Sequence, residues 1–284
     1  MFSRGNSSFE KGFRSAMKEH AVYKKALVTN KISKEEAEIF IKDLEIETDS
    51  YIRKNWKYYV SRNMWPLKAV KKNKAQKDPV FIVNHCTGSK DGKFEPALHR
   101  FFQADQASAN ALITLTGDVI FLIRLTDLAF HATRRSGVIM GALAKLLKID
   151  DSRWLNEPGI EVVGSQVKLF TPEQFEATIV LQRVIKAYFS ESVKELKSHK
   201  FFSPNDRPDD PSFLYFLPLV EHAVFNDVNI LDSNYWLQEY KKNQIEFANN
   251  SFDIIKSYNL LGRDEWREKR LKMKGKIDES YLYV

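Results

Sequence analysis

From Asp78 to Tyr188 the chain alternates short β-prone runs with stretches of helical period, each bounded by turn or capping residues, and this alternation limits the possible folds more than any other feature. Val80 to Val83 is a short apolar run of the kind found in a buried strand. Glu95 to Ala107 has helical spacing, with Leu98, Phe101 and Phe102 on one side. Ala111 to Thr116 and Val119 to Leu125 flank Gly117-Asp118, a pair suited to a tight turn, which predicts a hairpin. Gly159 to Gly164 is a further strand. Thr171-Pro172-Glu173-Gln174 combines an N-cap, a proline at the first helical position and a capping-box glutamine, so a helix should run from there to about Tyr188. Its buried side would be Phe175, Ile179, Leu181, Val184, Ile185 and Tyr188. The order strand, helix, hairpin, strand, helix predicts an α/β fold with a mixed central sheet flanked by helices.

Both ends of the chain read as helical additions to this unit. Ser33-Lys34-Glu35-Glu36 is a capping box, and Ala37, Ile39, Phe40, Leu44, Ile46, Tyr51 and Ile52 follow at roughly helical spacing, predicting a long amphipathic helix from about 34 to 60. It should end near Trp65-Pro66, with the lysine-rich stretch Lys68 to Lys77 as a solvated linker. From Pro218 onward the chain is again charged and helical, and its aromatics, Tyr235, Trp236, Tyr240, Phe247, Phe252, Tyr258 and Trp266, fit a packed core better than a sugar-binding surface. The expected division is a helical N-terminal extension over 1–75, a catalytic domain over 76–217 and a helical C-terminal extension over 218–284.

Charge and cysteine usage narrow the chemistry. Basic residues outnumber acidic ones 44 to 37, for a net charge of +7, which favours an anionic partner such as nucleic acid, a membrane surface or a cell-wall polymer. The lysine-rich stretch lacks interleaved aromatics, so nucleic acid is not the expected partner. No run approaches the ~18 apolar residues of a membrane-crossing helix, and the first residues lack the apolar centre of a secretory signal. The expectation is synthesis in the cytoplasm without a signal peptide, and action elsewhere after release or delivery. Cys86 is the single cysteine, which excludes an intrachain disulfide and a zinc site of several thiolates. Any zinc would be held by histidine and carboxylate.

Candidate ligands of that type are present. Phe81 to Thr87 is an apolar run that delivers His85 to its end, where a histidine is either a metal ligand or a hydrogen-bonded structural residue. His199 opens a loop that carries Asp206, Arg207, Asp209 and Asp210 among three prolines, and prolines stiffen a loop enough to hold a ligand set in one geometry. Two histidines and a carboxylate around an open position are the ligand type of hydrolytic zinc.

His85-Cys86-Thr87-Gly88, the Gly117-Asp118 turn, Phe130-His131-Ala132, Asn156 through Glu161, Phe170 through Phe175, and His199 followed by Ser-Pro, Arg and Asp-Pro occur in this order. Together they resemble the zinc-dependent N-acetylmuramoyl-L-alanine amidases of the phage-lysozyme and peptidoglycan-recognition-protein type, over about residues 78 to 215. The resemblance implies a Zn2+ cofactor on His85, His199 and Asp210, with Asp209 as the near competitor for the third place. It implies Glu161 as the general base that takes a proton from water, and Arg207 in the place of a lysine that stabilises the oxyanion. Thr87, Asn110 and His131 are then expected along the substrate groove. His20, His99 and His222 match nothing in the family and are expected as surface or packing residues. Some positions depart from the pattern: Asn110 stands where many relatives have a histidine, Ala111 where a tyrosine often follows, Phe130 for a tryptophan, and Thr133 for a glycine.

The implied activity is hydrolysis of the amide between N-acetylmuramic acid and L-alanine in peptidoglycan, by a monomer acting as a phage lysin or delivered effector. The first rival expectation is a module that recognises peptidoglycan without cutting it, and the second, less favoured, is a basic nucleic-acid-binding protein that uses the Lys68 to Lys77 stretch.

Overall fold

The computed structural model describes residues 16–69, 78–88, 93–103, 107–131, 157–164, 170–190, 192–199, 211–232 and 242. Five strands, β1 (Phe81–Cys86), β2 (Ala111–Ile113), β3 (Val119–Phe121), β4 (Gly159–Val162) and β5 (Glu195–Ser198), form one sheet in the order β3-β2-β4-β1-β5. β1 is parallel to both β4 and β5, β2 is parallel to β4, and β3 runs antiparallel to β2 across the hairpin. The mixed sheet expected from the sequence is therefore present. Gly117 holds the hairpin turn at φ +79°, where a side chain would be strained.

Side-chain alternation divides the sheet into two working faces. Ile82, Cys86, Ala111, Ile113, Ile160 and Val162 point to one face and join a core with α5 (Pro172–Tyr188). Leu112, Ile120, Leu122 and Val163 meet Leu98, Phe101 and Phe102 of α4 (Glu95–Gln103) on the other. α5 begins as its sequence predicts: Thr171 accepts from the Gln174 amide, the Gln174 side chain accepts from the Thr171 amide, and Pro172 fills the first position.

The helices at the chain ends belong to the same body. α1 (Ala21–Val28) and α2 (Lys34–Asn55) contribute Val22, Tyr23, Phe40 and Leu44 to the core that contains α5, and α6 (Pro211–Phe225) adds Val220, Ala223 and Val224. The expected boundary near residue 75 thus does not coincide with a break in the core. Ser33 and Glu36 form the predicted capping box of α2. The helix stops at Asn55, short of the predicted 60, because Trp56 leaves helical geometry to pack against Tyr59 and Phe102 and to donate its indole N–H to the Tyr51 hydroxyl. α3 (Lys57–Ser61) follows directly.

β5 has no counterpart in the sequence reading. Only Leu196 of its four residues is fully buried, as befits an edge strand with a weak apolar pattern. The Glu221 carboxylate of α6 accepts the Leu196 amide and so covers part of that edge. Among the described residues no helix is long and apolar enough to cross a membrane. The aromatic set from Tyr235 to Trp266, most of the Lys68 to Lys77 stretch and the loop with Asp206, Arg207, Asp209 and Asp210 lie outside the described residues.

Candidate active site

The register of the three parallel strands brings distant residues into one row. His85 on β1 is paired with Glu161 on β4, and parallel partners lie ~4.8 Å apart with side chains on the same face. On the other side of β1, Asn84 is paired with Ser198, so His199 follows opposite His85. Glu161, His85 and His199 therefore stand side by side near the carboxyl ends of β4, β1 and β5, the end at which open α/β sheets place their ligands.

The two histidine rings approach closely. His85 Nδ1 lies 3.0 Å from His199 Nδ1, with the rings at 67°. Imidazole nitrogens each ~2.0–2.1 Å from a tetrahedral zinc stand about 3.3 Å apart, so the pair is close to ligand spacing without rearrangement of either strand. Among the described residues no group of three metal-ligating side chains converges; Asp209 and Asp210, the expected third-ligand candidates, lie outside them. The donor set that is described, two imidazole nitrogens close together beside a carboxylate-bearing strand, is of the type that zinc takes.

The support behind His85 is built from buried polar contacts. On its other edge, Nε2 lies 3.0 Å from His131 Nδ1, and His131 Nε2 lies 2.7 Å from the Glu157 carbonyl oxygen. Burial pushes the His131 imidazole down to about 4, while the bond to the Glu157 carbonyl works in the opposite direction. The ring rests on Gly159, where an added Cβ would fall 2.4 Å from His131 Cγ. Asn84, which flanks His85 in β1, accepts from the Gln182 side chain of α5 at 2.7 Å, pinning β1 to the helix beneath.

Two of the residues expected along the groove are buried in the structure. His131 is buried with both ring nitrogens engaged, by His85 and by the Glu157 carbonyl. Asn110 is fully buried; its amide donates to the carbonyls of Arg124 and Asp127, and its oxygen accepts the Gly159 amide. An asparagine so used ties β2, β4 and the loop after β3 together. Thr87 is half-buried at the rim, where its hydroxyl accepts the Gly164 amide at 3.2 Å and closes the ends of β1 and β4. Of the unmatched histidines, His20 caps α1 by accepting the Val22 amide, His99 packs on Tyr59, and His222 bonds Asn226. Gly159 and the Glu157 carbonyl were not distinguishable in the sequence, because their roles depend on a ring that arrives from residue 131.

A histidine pair beside a carboxylate-bearing strand at the carboxyl end of a parallel sheet stands where open α/β sheets hold their ligands, with residue types that suit hydrolytic metal chemistry. Residues 75–213, just under half of the chain, match the family model of N-acetylmuramoyl-L-alanine amidase, and this part of the chain is an amidase domain of that family. The matched span contains the whole row Glu161, His85 and His199 as well as Arg207 and Asp210. Among solved structures, the endolysin N-acetylmuramoyl-L-alanine amidase LysCS from Clostridium intestinale URNW aligns at 18% identity over 48% of this chain and 78% of its own. Its TM-score is 0.32, a likeness too slight to bear on the site. No protein of curated function matches the chain.

Proposed function

We propose that the chain is a zinc-dependent peptidoglycan hydrolase in which His85, His199 and Asp210 hold the metal, Glu161 acts as general base and Arg207 stabilises the oxyanion. The observation that supports this most is the 3.0 Å approach of His85 Nδ1 and His199 Nδ1 in register with Glu161. Bound zinc supplies a Lewis acid for the scissile carbonyl and lowers the pKa of water.

The chain's own residues supply the rest. Glu161, one strand away from His85, takes the proton from the attacking water and returns it to the departing L-alanine nitrogen. Arg207 carries a permanent charge on a planar fork, which suits an oxygen on which negative charge develops during attack. Asp210 completes the ligand set with a carboxylate, the donor type left to a chain whose single thiol is Cys86, buried and donating to the Gly164 carbonyl. The surplus of basic residues suits an anionic wall. We place the site of action at the cell wall and take the working unit to be a monomer.

The test is digestion of purified sacculi by zinc-loaded protein, with mass spectrometry of the soluble products. The expected result is intact stem peptides with a new L-alanine amino terminus, abolished by His85→Ala and His199→Ala. Cuts within the glycan or inside the stem would overturn the reading, as would protein that pellets with sacculi yet releases no amino termini.

A further inference from the structure

His131 has no assigned part in the reaction, yet it is buried, engaged at both ring nitrogens and seated against Gly159. Its ring fills the space above Gly159, the one position on that side of β4 where the absent Cβ leaves room, since a methyl group there would meet Cγ at 2.4 Å and Cδ2 at 2.6 Å. β1 pairs Val83 with Gly159 and His85 with Glu161, so the ring lies on the site face, one step behind the row. The residue that receives it is also fixed: the Glu157 carboxylate accepts the Phe81 amide at 3.0 Å, which ties the peptide that carries the Glu157 carbonyl to the start of β1.

The direction of the hydrogen bonds follows from the one group that cannot donate. A carbonyl oxygen accepts, so His131 carries its proton on Nε2 and presents the lone pair of Nδ1. His85 Nε2, 3.0 Å away, must then be the donor, and the remaining nitrogen of a neutral His85, Nδ1, presents its lone pair toward His199. That is the tautomer a metal ligand requires, and metal-ligating histidines commonly have the second nitrogen held by such a partner. We infer that His131, seated over Gly159 and anchored on the Glu157 carbonyl, is a positioning residue that fixes His85 as the Nε2–H tautomer with Nδ1 presented for metal.

The inference rests on the metal reading above, and the experiment separates the two. Zinc affinity is measured by chelator competition for wild type, His85→Ala, His131→Phe, His131→Gln and Gly159→Ala. The ring tautomers of metal-free wild type and His131→Phe are read from 15N chemical shifts. Phenylalanine keeps the ring volume and removes both nitrogens; glutamine keeps an acceptor for His85.

Expected are a zinc affinity weakened roughly 10–100-fold in His131→Phe, a similar weakening in Gly159→Ala, and partial rescue in His131→Gln. His85 should be Nε2–H in the wild type and a mixture of tautomers in His131→Phe. Zinc binding that is lost in His85→Ala but unchanged in His131→Phe, with the His85 tautomer also unchanged, overturns the role of His131 while leaving the metal site standing. No zinc binding by wild type overturns the metal reading, and the tautomer spectra then decide on His131 alone. Should His131→Phe fail to fold, His131→Gln and Gly159→Ala carry the same comparison.

Discussion

Replacing Arg183 with methionine should destabilise the protein by about 3–5 kcal/mol, because the carbonyls it satisfies would lose their buried donor. Arg183 is 1% exposed, yet its guanidinium makes four hydrogen bonds. Nε and Nη2 donate to the Ala223 carbonyl at 3.0 and 2.7 Å, Nη1 to Ala26 at 2.7 Å, and Nη2 also to Val228 at 2.7 Å. Ala26 and Ala223 lie in the last turns of α1 and α6, where helical carbonyls have no partner of their own and the helix dipole is negative. One buried cation on α5 thereby closes the ends of both outer helices. Burial lowers its pKa to about 10, which still leaves it charged at neutral pH. Methionine would fill much of the volume and avoid the desolvation of a charge, but it would strand three carbonyls, each at roughly 1–3 kcal/mol. Loss of the charge's desolvation offsets part of that sum, hence the narrower range. In thermal unfolding followed by circular dichroism this corresponds to a drop of roughly 10 °C for a domain of this size. Arg183→Lys, which keeps the charge but not the fork, should fall between. A midpoint for Arg183→Met within a degree or two of wild type would refute the reasoning and imply that the outer helices are held by apolar packing alone.

Three further outcomes are expected. Glu161→Gln should reduce amidase turnover by roughly 10²–10⁴-fold while zinc affinity, measured by chelator competition, stays close to that of wild type. Gly117→Ala should lower stability by roughly 2–4 kcal/mol, because φ is +79° and the new Cβ would lie 2.5 Å from the Glu173 carbonyl oxygen at the start of α5; urea titration checks it. In metal-free protein, His131 titrates at about 4 when folded against 6.5 in the unfolded chain, so the unfolded state takes up the proton first as pH falls. Stability present above pH 6.5 should therefore be lost between 6.5 and about 4, by roughly 3 kcal/mol in total, and His131→Phe should show a flatter profile over that window.

What was readable in the sequence was what local physics decides. The capping boxes at Ser33 and Thr171 depend on residues three apart, and the Gly117 turn on its own backbone, so each appears where its residues predict. The end of α2 was misplaced because tertiary contacts of Trp56 outweigh continued helical propensity. β5 was missed because an edge strand with one buried residue in four carries almost no apolar period. At the site, His85 and His199 were legible as residue types on a familiar pattern, and the structure brings them together. The groove expectation for Asn110 and His131 comes from the family resemblance, which carries no information on burial. Their burial becomes reasonable only once the Gly159 vacancy and the carbonyls of Glu157, Arg124 and Asp127 are in place.

Register links these observations. Along β1, Ile82, Asn84 and Cys86 face α5, and His85 faces the site, so a slip of one residue would bury the ligand under the helix and aim Asn84 or Cys86 at His199. Several contacts oppose that slip at both ends of the strand. The Glu157 carboxylate holds the Phe81 amide and the Pro158 carbonyl accepts from Val83 at the start; Gln182 holds Asn84 in the middle; Thr87 holds Gly164 at the rim. Glu157 and Gly159 lie at the base of β4, Gly164 just past its far end, and Glu161 within it. The strand that would contribute the general base therefore also sets the register of the strand that contributes the first ligand. Substitutions at the base of β4 should disturb His85 before they disturb the core, since the apolar face formed by Ile160 and Val162 is untouched by them.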